Sequence, residues 1–305
     1  MVASARWSCR IALFSVSLLL VGLALHRLAS LSTPLAINLF WVGFAGAALA
    51  VLIGLAALVR IWVTGHAGAG SAAAGILLPV VTFAGPLVYL AAHLDLPRIN
   101  DVTTDWTTPP PFALLAKRAD GANAVAYPGR HFAELQAKAY PDLRSLVLER
   151  SAVEAFELAE EAVRRLRWRV VAEEPPAGGR VTKAGRIEAT EQTLIVGFTD
   201  DIVIRVEGGA TRARIDARSA SRYGGFDFGQ NATRLRRFLA EVRARAEATP
   251  SAAVAAKGPL QQRAAARALL KRQKARDQLK AEGRNVRGPV KSDAQRAPAR
   301  KETPR

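Results

Sequence analysis

Two adjacent carboxylates, Asp200 and Asp201, are the pair in this sequence whose types and spacing most suggest chemistry. Neighbouring acids can share general acid and base work in a hydrolysis, or bind a hard metal ion through their oxygens. Asp216 and Asp227 could lie close to them. The alternative interpretation is a solvated turn between two strands, where acidic residues are common. The pattern therefore assigns no catalytic residue.

A second candidate is the segment from Ser219 to Gly229, SASRYGGFDFG, which combines hydroxyls, Arg222, glycines and Asp227 just before a predicted helix. Backbone amides at such a helix start can hold an anion. The competing interpretation is purely structural: the glycines form a turn, and Asp227 or Asn231 caps the helix.

The remaining chemistry-bearing residues form no recognisable site. The four histidines, His26, His66, His93 and His131, show no ligand spacing, and the single cysteine, Cys9, excludes an intrachain disulfide. Serine-hydrolase, zinc-protease and nucleotide-binding strings are absent from the sequence. The sequence thus predicts no cofactor and no metal, and it favours a binding protein over an enzyme.

The elements that must position these residues are strands, because residues 185–222 alternate apolar and charged side chains with a period of two. Leu194, Val196 and Phe198 are predicted to continue this strand pattern. The charged face would carry Arg186, Glu188, Arg205, Arg212, Arg214, Asp216 and Arg218. Such a face is either solvated with cross-strand ion pairs or a docking surface for an anionic ligand or partner. The candidate binding residues are Arg186, Arg205, Arg214, Arg218, Arg222, Asp200, Asp201 and Asp227.

Two amphipathic helices are available to cover the apolar face of this sheet. Ser151 with Glu154 forms a capping box that begins a helix to about Leu166, with Val153, Phe156, Ala159, Val163 and Leu166 on its inner side. A second helix is predicted over residues 231–246, and a short edge strand over Leu146 to Leu148. The predicted domain, residues 127–248, is a two-layer α+β sandwich with an antiparallel sheet.

Three apolar runs precede this domain, over about residues 11–25, 37–59 and 72–92. Each is close to the roughly 20 residues that cross a bilayer as a helix. In the second run Gly46, Ala50 and Gly54 share one helix face, a spacing that allows close approach of a neighbouring helix, or that has no specific partner. The side of the membrane with more Lys and Arg near the helix ends is usually the cytoplasmic side. One side would carry Arg6, Arg10 and Arg60, and the other Arg27 and Arg98. This count predicts a bacterial inner-membrane protein with a periplasmic domain.

Two segments flank the domain. Residues 94–126 contain Pro97 and the run from Pro109 to Pro111, which predict a stiff extended linker. Residues 249–305 form a basic tail with fifteen Lys and Arg against four acids from Ser251 onward, the main source of the net charge of +17. This tail is predicted to be disordered or partly helical, and either to bind anionic lipid headgroups or to be merely solvated; nucleic acid becomes a competing partner only if the domain is cytoplasmic.

The strings RINDVTTD, YPGRHFAELQAKAYPDL, GRIEATEQTLIVGFTDDIVIRV and RIDARSASRYGGFDFGQNATRLRRFL occur in this order between about Arg98 and Arg245. Together they resemble the DUF1499 family, domains of unknown function in bacteria and plastids that often follow hydrophobic helices. Phe228 stands where relatives often have Leu. The resemblance implies neither a reaction nor a substrate.

The sequence therefore predicts a membrane-anchored envelope protein whose α+β domain binds or scaffolds a partner, an envelope protein among the candidates. One alternative is a hydrolase or metal-dependent enzyme using Asp200, Asp201 and Asp227. Another is a membrane-tethered polyanion-binding protein.

Overall fold

The computed structural model describes residues 2–29, 31–119, 121–177, 183–249 and 270–271. Residues 1–249 form one compact unit. Its helices are α1 (Ala3–Leu28), α2 (Thr33–Thr64), α3 (Ala69–Ala91), α4 (Arg130–Ala139), α5 (Ala152–Arg165) and α6 (Gln230–Ala248). Its strands are β1 (Asp101–Thr103), β2 (Leu146–Leu148), β3 (Arg169–Glu174), β4 (Gly185–Gln192), β5 (Thr199–Gly208) and β6 (Ala213–Ser221). The chain is thus α+β, as predicted. The basic tail lies outside the described residues, except for Thr249, Leu270 and Lys271.

The first three helices are long and apolar enough to cross a membrane, which is consistent with membrane insertion. They pack through small residues, as the spacing in the second apolar run indicates. The Ser8 hydroxyl of α1 donates to the Ala50 carbonyl of α2 at 2.7 Å, and a Cβ added to Gly54 would lie 2.7 Å from the same hydroxyl oxygen. Close helix contact of this kind needs residues without bulk at the crossing.

The six strands form one antiparallel sheet with the order β1-β6-β5-β4-β3. Strand β2 also pairs with β6, at the end opposite to β1: Leu146 lies opposite Ile215, whereas Asp101 lies opposite Ala220. Helices α5 and α6 cover one face of the sheet, which we call the helix face. Phe156, Val163, Leu235 and Phe238 are buried there against the strands. Both helices form because a 3.6-residue apolar period places their core residues on one side.

The capping box at the start of α5 is confirmed: the Ser151 hydroxyl accepts the Glu154 amide, and the Glu154 carboxylate accepts the Ser151 amide. The inner side of this helix differs from the prediction at one residue. Val153 is 54% exposed, because it lies on the outer side of the helix with the exposed Glu157, while Ala152 and Ala155 are buried on the inner side.

The other face of the sheet is also covered, and the expectation of an open solvated face is wrong. Residues 104–119 and 121–125, which we call the covering segment, cross it. Phe112 and Leu115 of this segment are buried against Val203 and Ala220. The segment that the prolines predict to be a stiff extended linker packs against the sheet and includes a 3-10 helix over Leu114–Ala116, and strand β1 directly precedes it. Burial of its apolar residues supplies the driving force that local sequence signals do not reveal.

The register of β4 and β5 also differs from the prediction. Residues 193–198 form the turn between these strands rather than a strand, and we call this turn the hairpin tip. Asp200 and Asp201, for which a turn was one interpretation, lie inside β5 and are buried. Because side chains alternate along a strand, Asp200 lies on the helix face and Asp201 on the covered face.

The domain contacts the ends of two apolar helices. At the end of α1, His26 Nδ1 donates to the Val196 carbonyl at 2.8 Å, and the His26 ring meets the Phe198 ring edge-on at 5.6 Å between centroids. At the end of α3, the Tyr89 ring lies 5.4 Å from that of Phe228. These contacts orient the sheet with the hairpin tip next to the helix ends.

Candidate functional site

Arg218, a predicted binding residue, is buried in an internal ion pair. Its Nε donates to Asp101 Oδ1 at 2.9 Å and its Nη2 to Asp101 Oδ2 at 2.7 Å. The guanidinium also lies 4.8 Å from the Phe112 ring centroid and 5.5 Å from that of Tyr127. Burial raises the pKa of Asp101, while Arg218 acts in the opposite direction. Arg218 fixes the covering segment to the sheet and offers little surface to a ligand.

Arg205 and Arg214 are engaged by three carboxylates, those of Asp105, Glu207 and Asp216. Arg205 Nη2 lies 2.9 Å from Asp105 Oδ2 and 3.1 Å from Asp216 Oδ2, and Arg214 Nη2 lies 2.8 Å from the same Asp105 oxygen. Burial alone would raise the pKa of Asp105, but hydrogen bonds from Thr108, together with the charge of Arg214, lower it to about 2. This cluster carries three acids against two cations, so it has no excess positive charge to attract an anion.

Asp201 and Arg222, both candidates, pair with each other on the covered face. Arg222 Nη2 lies 2.7 Å from Asp201 Oδ1, and Arg118 Nε lies 3.0 Å from Asp201 Oδ2. On the same face the buried Glu188 accepts the backbone amides of Ala113 and Leu115 at 2.6 and 2.8 Å. These carboxylates hold the covering segment rather than a ligand.

Asp200 belongs to a buried polar network on the helix face. Arg234 of α6 donates to Asp200 Oδ2 at 2.7 Å and to Glu191 Oε2 at 2.5 Å. Its Nη1 also contacts Ser219 Oγ at 3.0 Å and Asn231 Oδ1 at 2.6 Å. Burial raises the pKa of Asp200, with Arg234 opposing the effect. The network joins the first turns of α6 to β4, β5 and β6.

Asp227 caps α6, which was one of the two interpretations of the Ser219 to Gly229 segment. Its two carboxylate oxygens accept the amides of Gly229 and Asn231, each at 2.9 Å. The amides that could have held an anion therefore already have a carboxylate partner. Burial raises the pKa of Asp227, and these amide hydrogen bonds lower it again in part.

The three acids of the hydrolase or metal-enzyme alternative do not converge. Asp200 and Asp227 lie on the helix face and Asp201 on the covered face, so the three cannot act on one substrate. Among the described residues, no group of three or more His, Cys, Asp or Glu side chains could hold a metal ion.

A cleft of about 540 Å³ lies at the end of the domain away from the apolar helices α1, α2 and α3, and we call it the distal cleft. It is bounded by the start of α5, by the connection between β5 and β6, and by the residues on either side of 178–182. Its lining residues are Ser151, Ala152, Val153, Pro176, Ala177, Lys183, Ala184, Val206, Glu207, Gly208, Gly209 and Ala210. Most of these are apolar or small, and Lys183 and Glu207 supply one charge of each sign.

Strand β5 gives the position of this cleft relative to the helices. Thr199 begins the strand beside the hairpin tip, and Gly208 ends it at the cleft. Ten residues of strand span about 30 Å, so the cleft lies roughly that far from the contact with α1.

A smaller groove of about 240 Å³ contains two of the predicted arginines, Arg186 and Arg205, beside Pro110 and Pro111. The cations that line it are already paired. Glu174 accepts from Arg186, and its other carboxylate oxygen lies 3.0 Å from Lys183 Nζ. We therefore expect weaker anion binding here than the sequence suggests, because a ligand would have to displace an acid that the domain itself provides.

Sequence reasoning did not identify the distal cleft or the partners of the charged candidates. The capping box at Ser151 is predicted from the sequence, but nothing in the sequence places it beside Gly208 and Gly209. Arg234 carries a weak signal, since it lies two turns beyond Asp227 and on the inner side of a helix that is otherwise mostly apolar there. A charge at a core position of an amphipathic helix calls for a buried partner.

Comparison with known proteins adds one finding. Residues 101–242 match the model of a family described as "Protein of unknown function (DUF1499)". The match includes β1, all of the charged candidates and most of α6, and it leaves out the three apolar helices. No curated protein and no solved structure matches the chain.

Proposed function

We propose that this chain, whose α+β domain belongs to the DUF1499 family, is a membrane-anchored binding module that takes up its partner in the distal cleft. The family description names no reaction. The single observation that carries the proposal is the cleft itself, about 540 Å³ in volume and mostly apolar in its lining. Ligand sites in proteins are commonly concave, largely apolar and of this size, with a few polar groups that fix orientation.

The chemistry of the lining indicates the kind of partner. Val153, Pro176 and Ala210 offer apolar surface, whereas Lys183 is paired with Glu174 and Glu207 with Arg214. A partner that fits presents an apolar group, which leaves water when it enters the cleft. The start of α5 is not available to an anion, because the Ala152 amide donates to the Gly209 carbonyl at 2.9 Å.

The anchor supports a binding role close to a membrane. The domain contacts the ends of α1 and α3 at separate places, through His26 and through Tyr89. Two contacts restrict the orientation of a domain more than a single flexible tether does. The distal cleft would then face away from the bilayer at a fixed height of about 30 Å above the helix ends.

Location in the envelope is part of this proposal. Three crossings place the domain on the side opposite to Arg6, Arg10 and Arg60, which favours the outside of a bacterial inner membrane. In a Cys9→Ser background, Arg212→Cys reports the domain and His66→Cys the connection between α2 and α3. A membrane-impermeant maleimide applied to cells with a permeabilised outer membrane should label position 212 and spare position 66. The reverse pattern would place the domain in the cytoplasm.

The cleft is tested by photo-crosslinking in the native membrane. A benzophenone amino acid at position 153 should yield a discrete adduct that the same residue at position 157 does not, because Glu157 is exposed one turn further along α5 and does not line the cleft. Filling the cleft with Ala210→Trp should abolish the adduct. Equal adducts at both positions, or an adduct that persists with the cleft filled, would refute the proposal.

A further inference from the structure

The hairpin tip exposes two large aliphatic side chains. Leu194 is 86% exposed and Ile195 is 74% exposed. They are the most exposed of the large apolar residues described between residues 101 and 249. Exposed aliphatic pairs at the apex of a turn are unfavourable in water, since nothing removes their surface from solvent.

The neighbours of the tip indicate where these side chains lie. Arg27 Nη1 donates to Gln192 Oε1 at 3.1 Å, directly before the tip, and His26 contacts Val196 within it. Gly197 adopts a φ of 84°, and a Cβ added there would lie 3.1 Å from Arg27 Cδ. The tip is therefore fitted closely against the last turn of α1.

The last turn of α1 marks the height at which this helix leaves the hydrocarbon layer of the membrane. The apolar run of α1 ends at Leu25, and His26 and Arg27 follow it, as polar residues do where a spanning helix leaves the hydrocarbon. The end of α3 supplies a second marker at the same end of the domain, where Phe226 and Phe228 lie 4.2 Å apart beside Tyr89. Tyr and Trp side chains concentrate at the bilayer interface, so Tyr89 is the marker at this end of α3.

We propose that the hairpin tip is a bilayer-insertion element, in which Leu194 and Ile195 enter the lipid interface beside the end of α1. The occupant of this apolar patch is the lipid of the same bilayer that α1 crosses. The element is a third attachment of the domain to the membrane, besides the contacts of His26 and Tyr89. The inference rests on membrane insertion of the helices and does not depend on what the distal cleft binds.

The test places a fluorophore at the tip of the full-length chain. Cys9→Ser removes the single native cysteine, and Ile195→Cys is labelled with a nitrobenzoxadiazole dye in phosphatidylcholine nanodiscs. Arg212→Cys, in the connection at the other end of the sheet, is the matched control because it is also exposed and does not line the distal cleft. Position 195 should show a blue-shifted emission, several-fold stronger quenching by a doxyl lipid than position 212, and protection from aqueous iodide.

Two results would overturn the inference. One is iodide quenching at position 195 equal to that at position 212. The other is protection from iodide without doxyl quenching, together with a disulfide between two chains of the unlabelled Ile195→Cys variant, which would identify a second copy as the occupant. Photo-adducts from position 153 in the native membrane report the distal cleft separately, so the two proposals can fail independently.

Discussion

Asp101 and Arg218 form a buried, two-bond ion pair between β1 and β6, with nitrogen to oxygen distances of 2.9 and 2.7 Å. The two residues are 117 positions apart in the chain. Arg218 also donates to the carbonyl of Val125 at 2.8 Å. The pair therefore joins the sheet, its first strand and the covering segment at one point.

Asp101→Asn should destabilise the domain by about 3 kcal/mol, because it leaves a buried guanidinium without its counter-charge. The matched control is Asp142→Asn, which breaks a similar two-bond pair with Arg236 at distances of 2.6 and 2.8 Å, but on the surface. An exposed pair contributes about 1 kcal/mol or less. Urea unfolding of the full chain in detergent measures both. Equal losses would contradict the structural role of Asp101.

The adjacent acids Asp200 and Asp201 should respond differently to the same substitution. Asp201→Asn leaves Arg118 and Arg222 close together without the carboxylate that separates them, so we expect a loss of about 3 kcal/mol. Asp200→Asn should lower the free energy of unfolding by only about 1 kcal/mol, since Arg234 retains its ion pair with Glu191 at 2.5 Å.

Trypsin distinguishes the two variants further. Asp201→Asn should accelerate cleavage at Lys117, because the covering segment loses the ion pair between Arg118 and Asp201. Asp200→Asn should be cleaved at the same rate as the wild type. If both variants cleave alike, the two acids do not have separate roles.

The sequence predicts those parts of the fold that depend on neighbours along the chain. Alternation defines β5 and β6, the Ser151 capping box defines the start of α5, and the small residues around Ala50 define the contact between α1 and α2. The local signal fails at the hairpin tip, because Leu194 continues the alternation whether the chain turns or stays extended.

The candidate site is less predictable for a related reason. An arginine paired inside the domain and an arginine on a solvated face look the same in sequence. Arg218 is separated from Asp101 by more than a hundred residues, so its burial depends on where the covering segment packs. The proline run predicts that this segment is extended, but it carries no information on the surface that it covers.

Asp105 should make the stability of the domain depend on pH in the acid range. Its pKa falls from 3.8 to about 2 in the folded chain. A lowered pKa gives stability that is fully present above the unfolded value and is lost as the pH falls toward the folded value. Asp105→Asn should therefore cost about 2 kcal/mol near neutral pH, and the difference from wild type should vanish between about pH 4 and pH 2. Urea midpoints of both chains across this range measure the difference, and a constant offset would contradict the assignment.

Gly197 should control the contact between the hairpin tip and α1. Gly197→Ala places a Cβ 3.1 Å from Arg27 Cδ and requires a φ of 84°, which disfavours residues other than glycine by about 1 kcal/mol. The matched control is Gly209→Ala in the connection between β5 and β6, where an added Cβ meets nothing within 4 Å. In nanodiscs, hydrogen exchange of the amides of residues 193–198 should accelerate several-fold in Gly197→Ala alone, with the exchange of β5 and β6 unchanged. Equal exchange of the tip in both variants would mean that the close approach to α1 does not hold it in place.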